Sequence, residues 1–226
     1  MIPWILLEST AVPGNGGELR LYQRGDEFSI KIVGRAGELM NSRMHGSEDA
    51  LAELTCARLA ASAAPRLLIG GLGMGFTLAA ALQHMDEQGQ VVVAELVPAV
   101  VAWNRGPLGE CSGYPLADPR VSVREGDVAN IIKSEQRAYD GILLDVDNGP
   151  EGLTRKKNDW LYSMNGLISA YEALRPQGVL AVWSAGPALD FLQRLRKVGF
   201  KVKEERVYAH GKKGARHVIW FARRGN

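Results

Sequence analysis

The sequence predicts an α/β fold: a doubly wound, mostly parallel sheet with a short antiparallel β appendage at its N-terminal end. Three observations predict it. From residue 47 onward, short apolar strands alternate with segments of helical period, the pattern of βαβ units whose sheet is covered on both faces. The first of those strands runs directly into a glycine-rich turn and then a helix. Before them, residues 4–8, 18–23 and 27–33 show partial period-2 alternation and are separated by turn-forming stretches at 13–17 and 25–26.

Each element follows from its own local pattern. Residues 47–63 open with Ser47 as a candidate N-cap and place Leu51, Leu54 and Ala57 near helical spacing. Residues 66–70 form an apolar strand, 76–85 a helix, and 90–96 a buried strand. Pro98 suits the first position of a helix running to about 104. A strand at 121–125, a helix at 128–136 and a strand at 139–145 come next, then a helix at 166–174 and a strand at 178–184. A helix at 188–198 precedes two runs, 201–208 and 216–223, that read as a closing hairpin. The N-terminal sheet is too small to hold a core alone and is expected to pack on the larger domain C-terminal to it. The division is therefore a β region at 1–46 and a Rossmann-like domain at 47–226. Two long loops, 106–119 and 146–162, lie beside strand ends, where long loops commonly carry binding or lid functions.

Composition narrows the class. The 226 residues are 46% apolar, which suits one globular domain or one with a small appendage. A formal net charge of +2 gives no field that implies a nucleic-acid or membrane partner. No apolar run approaches the roughly 18 residues of a membrane span, and the start lacks the basic and small-residue parts of a signal peptide. Cys56 and Cys111 are too few for a disulfide framework or, alone, a structural zinc site. The expectation is a reduced, soluble, cytoplasmic chain without a metal.

Four motifs carry chemistry. Gly71, Gly73 and Gly75 form a G-x-G-x-G turn after the first parallel strand, where glycine lets a ligand approach the backbone and helix N–H groups face it. Phe76 stands where a dinucleotide fingerprint needs its third glycine. Glu95 ends the second strand 20 residues after Gly75. It either accepts ribose hydroxyls or caps the helix at Pro98. Asp127 lies just past the third strand and reads as an acceptor for an adenine amino group, an N-cap, or both. Asp145 ends the fourth strand, with Asp147 and Glu151 beyond it as an acidic rim suited to binding an ammonium and taking its proton. The other reading of this stretch is an Asx turn at 147–149.

Leu67–Gly75, Val92–Glu95, Gly126-Asp127, Tyr139–Asp145, Leu161-Tyr162-Ser163 and Ala173–Val179 together resemble the spermidine/spermine synthase family. Those are aminopropyltransferases on the class I methyltransferase fold with a small N-terminal β domain. The resemblance spans about residues 18–224 and is most specific from 66 to 183. It implies that Gly71, Gly73 and Gly75 line a nucleoside, Glu95 holds its ribose, Asp127 meets its adenine and Asp145 is the catalytic carboxylate. It also implies a homodimer. The departures lie on the acceptor side. The family has two aspartates three apart after the fourth strand, whereas Asp145 and Asp147 are two apart. Its Tyr-His-Glu motif at the polyamine pocket corresponds here to His45 and Glu48, three apart and without tyrosine.

The expected activity is transfer of an aminopropyl group from decarboxylated S-adenosylmethionine to a small-molecule amine, with Asp145 and Asp147 catalytic and His45, Glu48 and Asp147 binding the acceptor. Methyl transfer from S-adenosylmethionine is the alternative. A non-catalytic nucleoside-binding protein of the same fold is the second alternative, and a nicotinamide oxidoreductase a distant one because of Phe76. His84, the basic 210–217 turn and the 155–157 run read as surface features, and Trp103 and Trp183 as core.

Overall fold

A computed structural model describes residues 2–14, 16–34, 38–59, 64–146, 150, 159–210 and 213–226. Strands β1 (Ile5–Ala11), β2 (Glu18–Arg24), β3 (Glu27–Ile32) and β4 (Met40–Asn41) form an antiparallel sheet in chain order. The larger sheet has seven strands: β5 (Arg66–Gly70), β6 (Gln90–Glu95), β7 (Val121–Glu125), β8 (Tyr139–Leu144), β9 (Leu174–Ser184), β10 (Lys201–His210) and β11 (Lys213–Arg223). Their order is β10-β11-β9-β8-β5-β6-β7. The five from β9 to β7 are parallel, and the β10–β11 hairpin joins antiparallel to β9. The order reverses between β5 and β8. Crevices at such a switch point, outside the carboxyl ends of the strands, are where open α/β sheets bind ligands.

Strict alternation along the buried strands sorts their side chains onto two faces. Leu67, Ile69, Val91, Val93 and Leu143 point to one core, and Leu68, Val92, Ile142 and Leu144 to the other. The first core is covered by α1 (Gly46–Cys56), α2 (Phe76–His84) and α3 (Pro98–Arg105), and Leu19, Leu21, Phe28 and Ile30 of the small sheet bury into it. The small sheet thus shares a core with the large one. Helix α4 (Gly109–Ser112) lies after α3. The second core is covered by α5 (Val128–Ser134), α6 (Asp159–Tyr162), α7 (Met164–Ala173) and α8 (Leu189–Val198). No helix among the described residues is long and apolar enough to cross a membrane.

Several boundaries differ from the sequence expectation. Helix α1 starts at Gly46, with His45 at the cap position and no side-chain cap. Ser47 lies buried inside the first turn and gives its hydroxyl to Glu48 instead. The helix stops at Cys56, and residues 60–63 lie outside the described residues. Strand β9 begins at Leu174, four residues before the expected start, by way of a left-handed Gln177 and a register shift opposite β8. The 106–119 loop is not a lid over the crevice. It folds into α4 and a 3₁₀ turn at Pro115–Ala117, with Leu108, Gly109 and Pro115 buried.

Candidate active site

The carboxyl ends of the parallel strands, the first turn of α1 and the inner face of the small sheet enclose a cavity of about 710 Å³. That is within the size of a small-molecule site. Glycine turn and strand ends meet closely at its floor. Asp145 donates its backbone N–H to Gly70, and Gly71 donates to Ala94. Gly71 has φ +86°, and a Cβ there would sit 2.7 Å from the backbone oxygen of Asp145. Only glycine lets the turn and the end of β8 approach this far. Gly73 also lines the cavity, at φ +55°, and Asn104 holds its carbonyl through Nδ2 at 2.8 Å. Gly75 stands off the wall. A Cβ on it would be 2.8 Å from both Asn104 Oδ1 and Ser112 Oγ, so its place is in the packing that sets the turn.

Glu95 is 7% exposed and joins the turn to α3. Its two carboxyl oxygens accept from the N–H of Leu72 at 2.9 Å and of Val97 at 2.8 Å. Burial pushes its pKa up, and the backbone N–H groups that Glu95 accepts pull the other way. The cap role is therefore present, on a residue of the cavity wall. Glu95→Gln leaves one N–H facing an amide NH₂. It is expected to cost about 1–3 kcal/mol of stability without ligand, the penalty of an unsatisfied buried donor. Urea unfolding measures this, and an unchanged midpoint would detach Glu95 from the turn. Asp127 caps α5 by accepting from Ala129 N at 2.9 Å and also lines the cavity.

Glu48 and His45, paired in the sequence reading, part company. Glu48 faces the cavity beside the buried Ser47, whose hydroxyl donates to Glu48 Oε2 at 2.6 Å. His45 turns to a separate outer pocket, stacked on Phe76 at 4.1 Å between ring centres and bonded to Asp49 Oδ2 at 2.7 Å. Asn41 accepts from the N–H groups of Arg43 and Met44, which fixes the approach to α1. Asp145 accepts from Thr77 Oγ1 at 3.0 Å. Its carboxyl is partly buried against the protein and meets the cavity. This burial, with the facing charge of Glu48, raises its pKa to about 7 against the pull of the Thr77 hydroxyl. Burial likewise raises Glu48, opposed by Ser47. Asp147, Glu151 and most of the 146–162 loop lie outside the described residues.

A raised carboxyl favours the folded state below its unfolded value, and that contribution fades as pH climbs through the folded value. Asp145→Asn is therefore expected to melt above the wild type at about pH 8, with the gap narrowing towards about pH 4. Thermal melts at the two pH values test this, and a gap independent of pH would mean that Asp145 is not buried as described.

The sequence reading missed the far wall. Trp183 near the end of β9, Ala185 just past it and His217 within β11 line the cavity, with the Trp183 and His217 rings edge to face at 4.6 Å. Burial lowers the His217 pKa, so it is neutral near pH 7. From the small sheet come Leu19, Ile30, Met40 and Asn41, and Glu38 precedes β4 at the rim. Trp103 is buried in the core as expected, donating from Nε1 to Glu8. Among the described residues, no group of three or more His, Cys, Asp or Glu is placed to hold a metal.

No protein-family model and no curated protein sequence matches the chain. Solved structures do. A spermidine synthase from Thermotoga maritima aligns over 97% of this chain and 72% of its own, at 17% identity and a TM-score of 0.76. A spermidine synthase in complex with the transition-state analogue AdoDATO aligns over 97% and 74%, at 18% identity and 0.78. A putative O-methyltransferase from Klebsiella pneumoniae aligns over 79% and 80%, at 19% identity and 0.55. The chain has the spermidine synthase-like, class I methyltransferase fold. At these identities the likeness concerns the fold.

Proposed function

We propose that this chain is a transferase that binds decarboxylated S-adenosylmethionine and passes its aminopropyl group to the nitrogen of a small amine. One observation carries the reading. Five carboxyl residues, Glu38, Glu48, Glu95, Asp127 and Asp145, line the cavity, and among its described lining residues there is no Lys or Arg. Such a wall selects cations. A pyrophosphate would face uncompensated repulsion, which argues against a dinucleotide. The same logic separates the two sulfonium donors. S-adenosylmethionine carries a carboxylate that would need a cation or free N–H donors, whereas the decarboxylated form presents only its sulfonium and an ammonium.

The roles follow from position. The turn at Gly71 and Gly73 takes the nucleoside against its backbone, Glu95 accepts from the ribose hydroxyls, and Asp127 accepts from the adenine amino group. Asp145 stands at the switch point, between this half and the wall of Trp183 and His217. There it orients the acceptor amine and takes its proton, so that nitrogen attacks the carbon next to sulfur in line with the leaving thioether. A pKa near 7 makes Asp145 a stronger base than an ordinary carboxylate. Asp147 is proposed, from the sequence, to add to ammonium binding.

Calorimetric titrations with decarboxylated and intact S-adenosylmethionine test the reading side by side. The expected result is tighter binding of the decarboxylated form. Preference for the intact form would favour methyl transfer, and binding of neither would favour a non-catalytic protein.

A further inference from the structure

We propose that Glu48 and Asp145 act as one cation site, sharing a single proton when no cation is present and releasing it when a cationic group settles between them. The proposal deepens the reading above and rests on it only for the identity of the cation.

The placement comes from two distant segments. Glu48 sits in the first turn of α1 and Asp145 just past β8, and both line the same cavity. Each carboxyl receives one hydroxyl, from Ser47 at 2.6 Å and Thr77 at 3.0 Å, and neither makes an ion pair among the described residues. Among the described residues no Lys or Arg lines the cavity, and beside Glu48 the charge of Asp49 raises the Glu48 pKa while that of His45 lowers it. His45 and Asp49 are bonded to each other at the outer pocket, and Glu38 approaches from the small sheet beside the neutral Asn41. Glu95 and Asp127 stand on the nucleoside half, and burial lowers the pKa of His217 on β11. Two carboxylates lining one cavity without a cation repel, and holding one proton between them relieves this. The facing charge of Glu48 is one of the causes that raise Asp145. Because the two titrate together, the proton belongs to the pair and not to either residue.

A bound cation replaces the proton as the neutralising charge. The emptied pair is then ready to receive a proton from the acceptor ammonium. The nitrogen lone pair so freed forms the N–C bond, and the C–S bond breaks with its electrons passing to sulfur. The products are a neutral thioether and a secondary ammonium, with one proton on the pair. Glu48, read from the sequence as an acceptor-binding residue, thereby becomes half of the base.

The test is calorimetry at about pH 6.5 in two buffers of different ionisation heat, which counts protons released on binding. The probes are decarboxylated S-adenosylmethionine and its uncharged thioether counterpart, 5′-methylthioadenosine. Wild-type protein is expected to release most of one proton with the sulfonium and almost none with the thioether, and Glu48→Gln clearly less than the wild type with the sulfonium. Equal release by wild type and Glu48→Gln, or no release by wild type, overturns the pair. Carbon-13 titration of the side-chain carboxyls in the ligand-free chain decides it independently. The Asp145 midpoint, expected near 7 in the wild type, should fall in Glu48→Gln as the facing charge is removed. A midpoint that does not move overturns the proposal. If neither probe binds, the functional reading fails while this titration still judges the pair.

Discussion

Asp145→Asn is expected to lower turnover by roughly 10²–10⁴-fold, the usual worth of a positioned general base, with nucleoside affinity nearly unchanged. The substitution is close to isosteric, and the Thr77 hydroxyl can still donate to the amide oxygen. The backbone bond from residue 145 to Gly70 does not involve the side chain, so the end of β8 stays beside the glycine turn. What disappears is the carboxylate that follows β8 at the switch point between β5 and β8. Single-turnover assays with decarboxylated S-adenosylmethionine and a panel of primary amines measure the loss, and calorimetry measures the affinity. Full turnover in the variant would leave the carboxyl without a catalytic role. Loss of nucleoside affinity in parallel would move it to the nucleoside half. The charged donor is expected to bind the variant more weakly, because half of the pair with Glu48 is lost, so nucleoside affinity is compared with the uncharged 5′-methylthioadenosine.

Gly73→Val is the second large effect. It is expected to weaken nucleoside binding by at least tenfold to roughly 10²-fold, the scale of forcing extra methyl groups into filled space. The residue lines the cavity, and its φ of +55° directs a β-carbon towards Met40, whose sulfur would be 3.3 Å away. Met40 is flexible and can yield, but the β-branch then occupies the ligand side of the turn. The sequence alone suggests that such a change leaves stability almost untouched. The left-handed backbone alters that expectation, because a β-branched residue there adds a cost of about 1–2 kcal/mol. Urea unfolding separates the two effects. Binding that survives with stability reduced would take Gly73 out of the site, and binding lost with the fold intact assigns it to the ligand.

What the sequence determined by itself is the part that depends on local pattern. Alternation with period 2 sends Leu67 and Ile69 to one core and Leu68 to the other, and that pattern is written in five consecutive residues. The strand-to-turn junction at Gly70 and Gly71, and the carboxylates at the ends of β6, β7 and β8, are equally local, because a parallel strand's last residue necessarily lies at the crevice side of the sheet. Glu95, Asp127 and Asp145 were legible for that reason, and all three line the cavity. The tertiary structure decided what local pattern cannot reach. His45 and Glu48 stand three apart near the start of α1, yet one stacks on Phe76 at the outer pocket and the other lines the cavity with Asp145. Which way each turns depends on how α1 packs against α2 and how Asn41 fixes its approach. Gly75 belongs to the packing of Asn104 and Ser112, residues that the chain reaches only after another strand and helix. His217 looked like part of a solvated hairpin. It lines the site because β11 runs antiparallel to β9, with Val218 opposite Ser184, which sets its ring against Trp183. Side-chain type and strand position are local properties. Which carboxyls and rings share one enclosed space, and so shift one another's charge, depends on contacts between residues far apart in the chain.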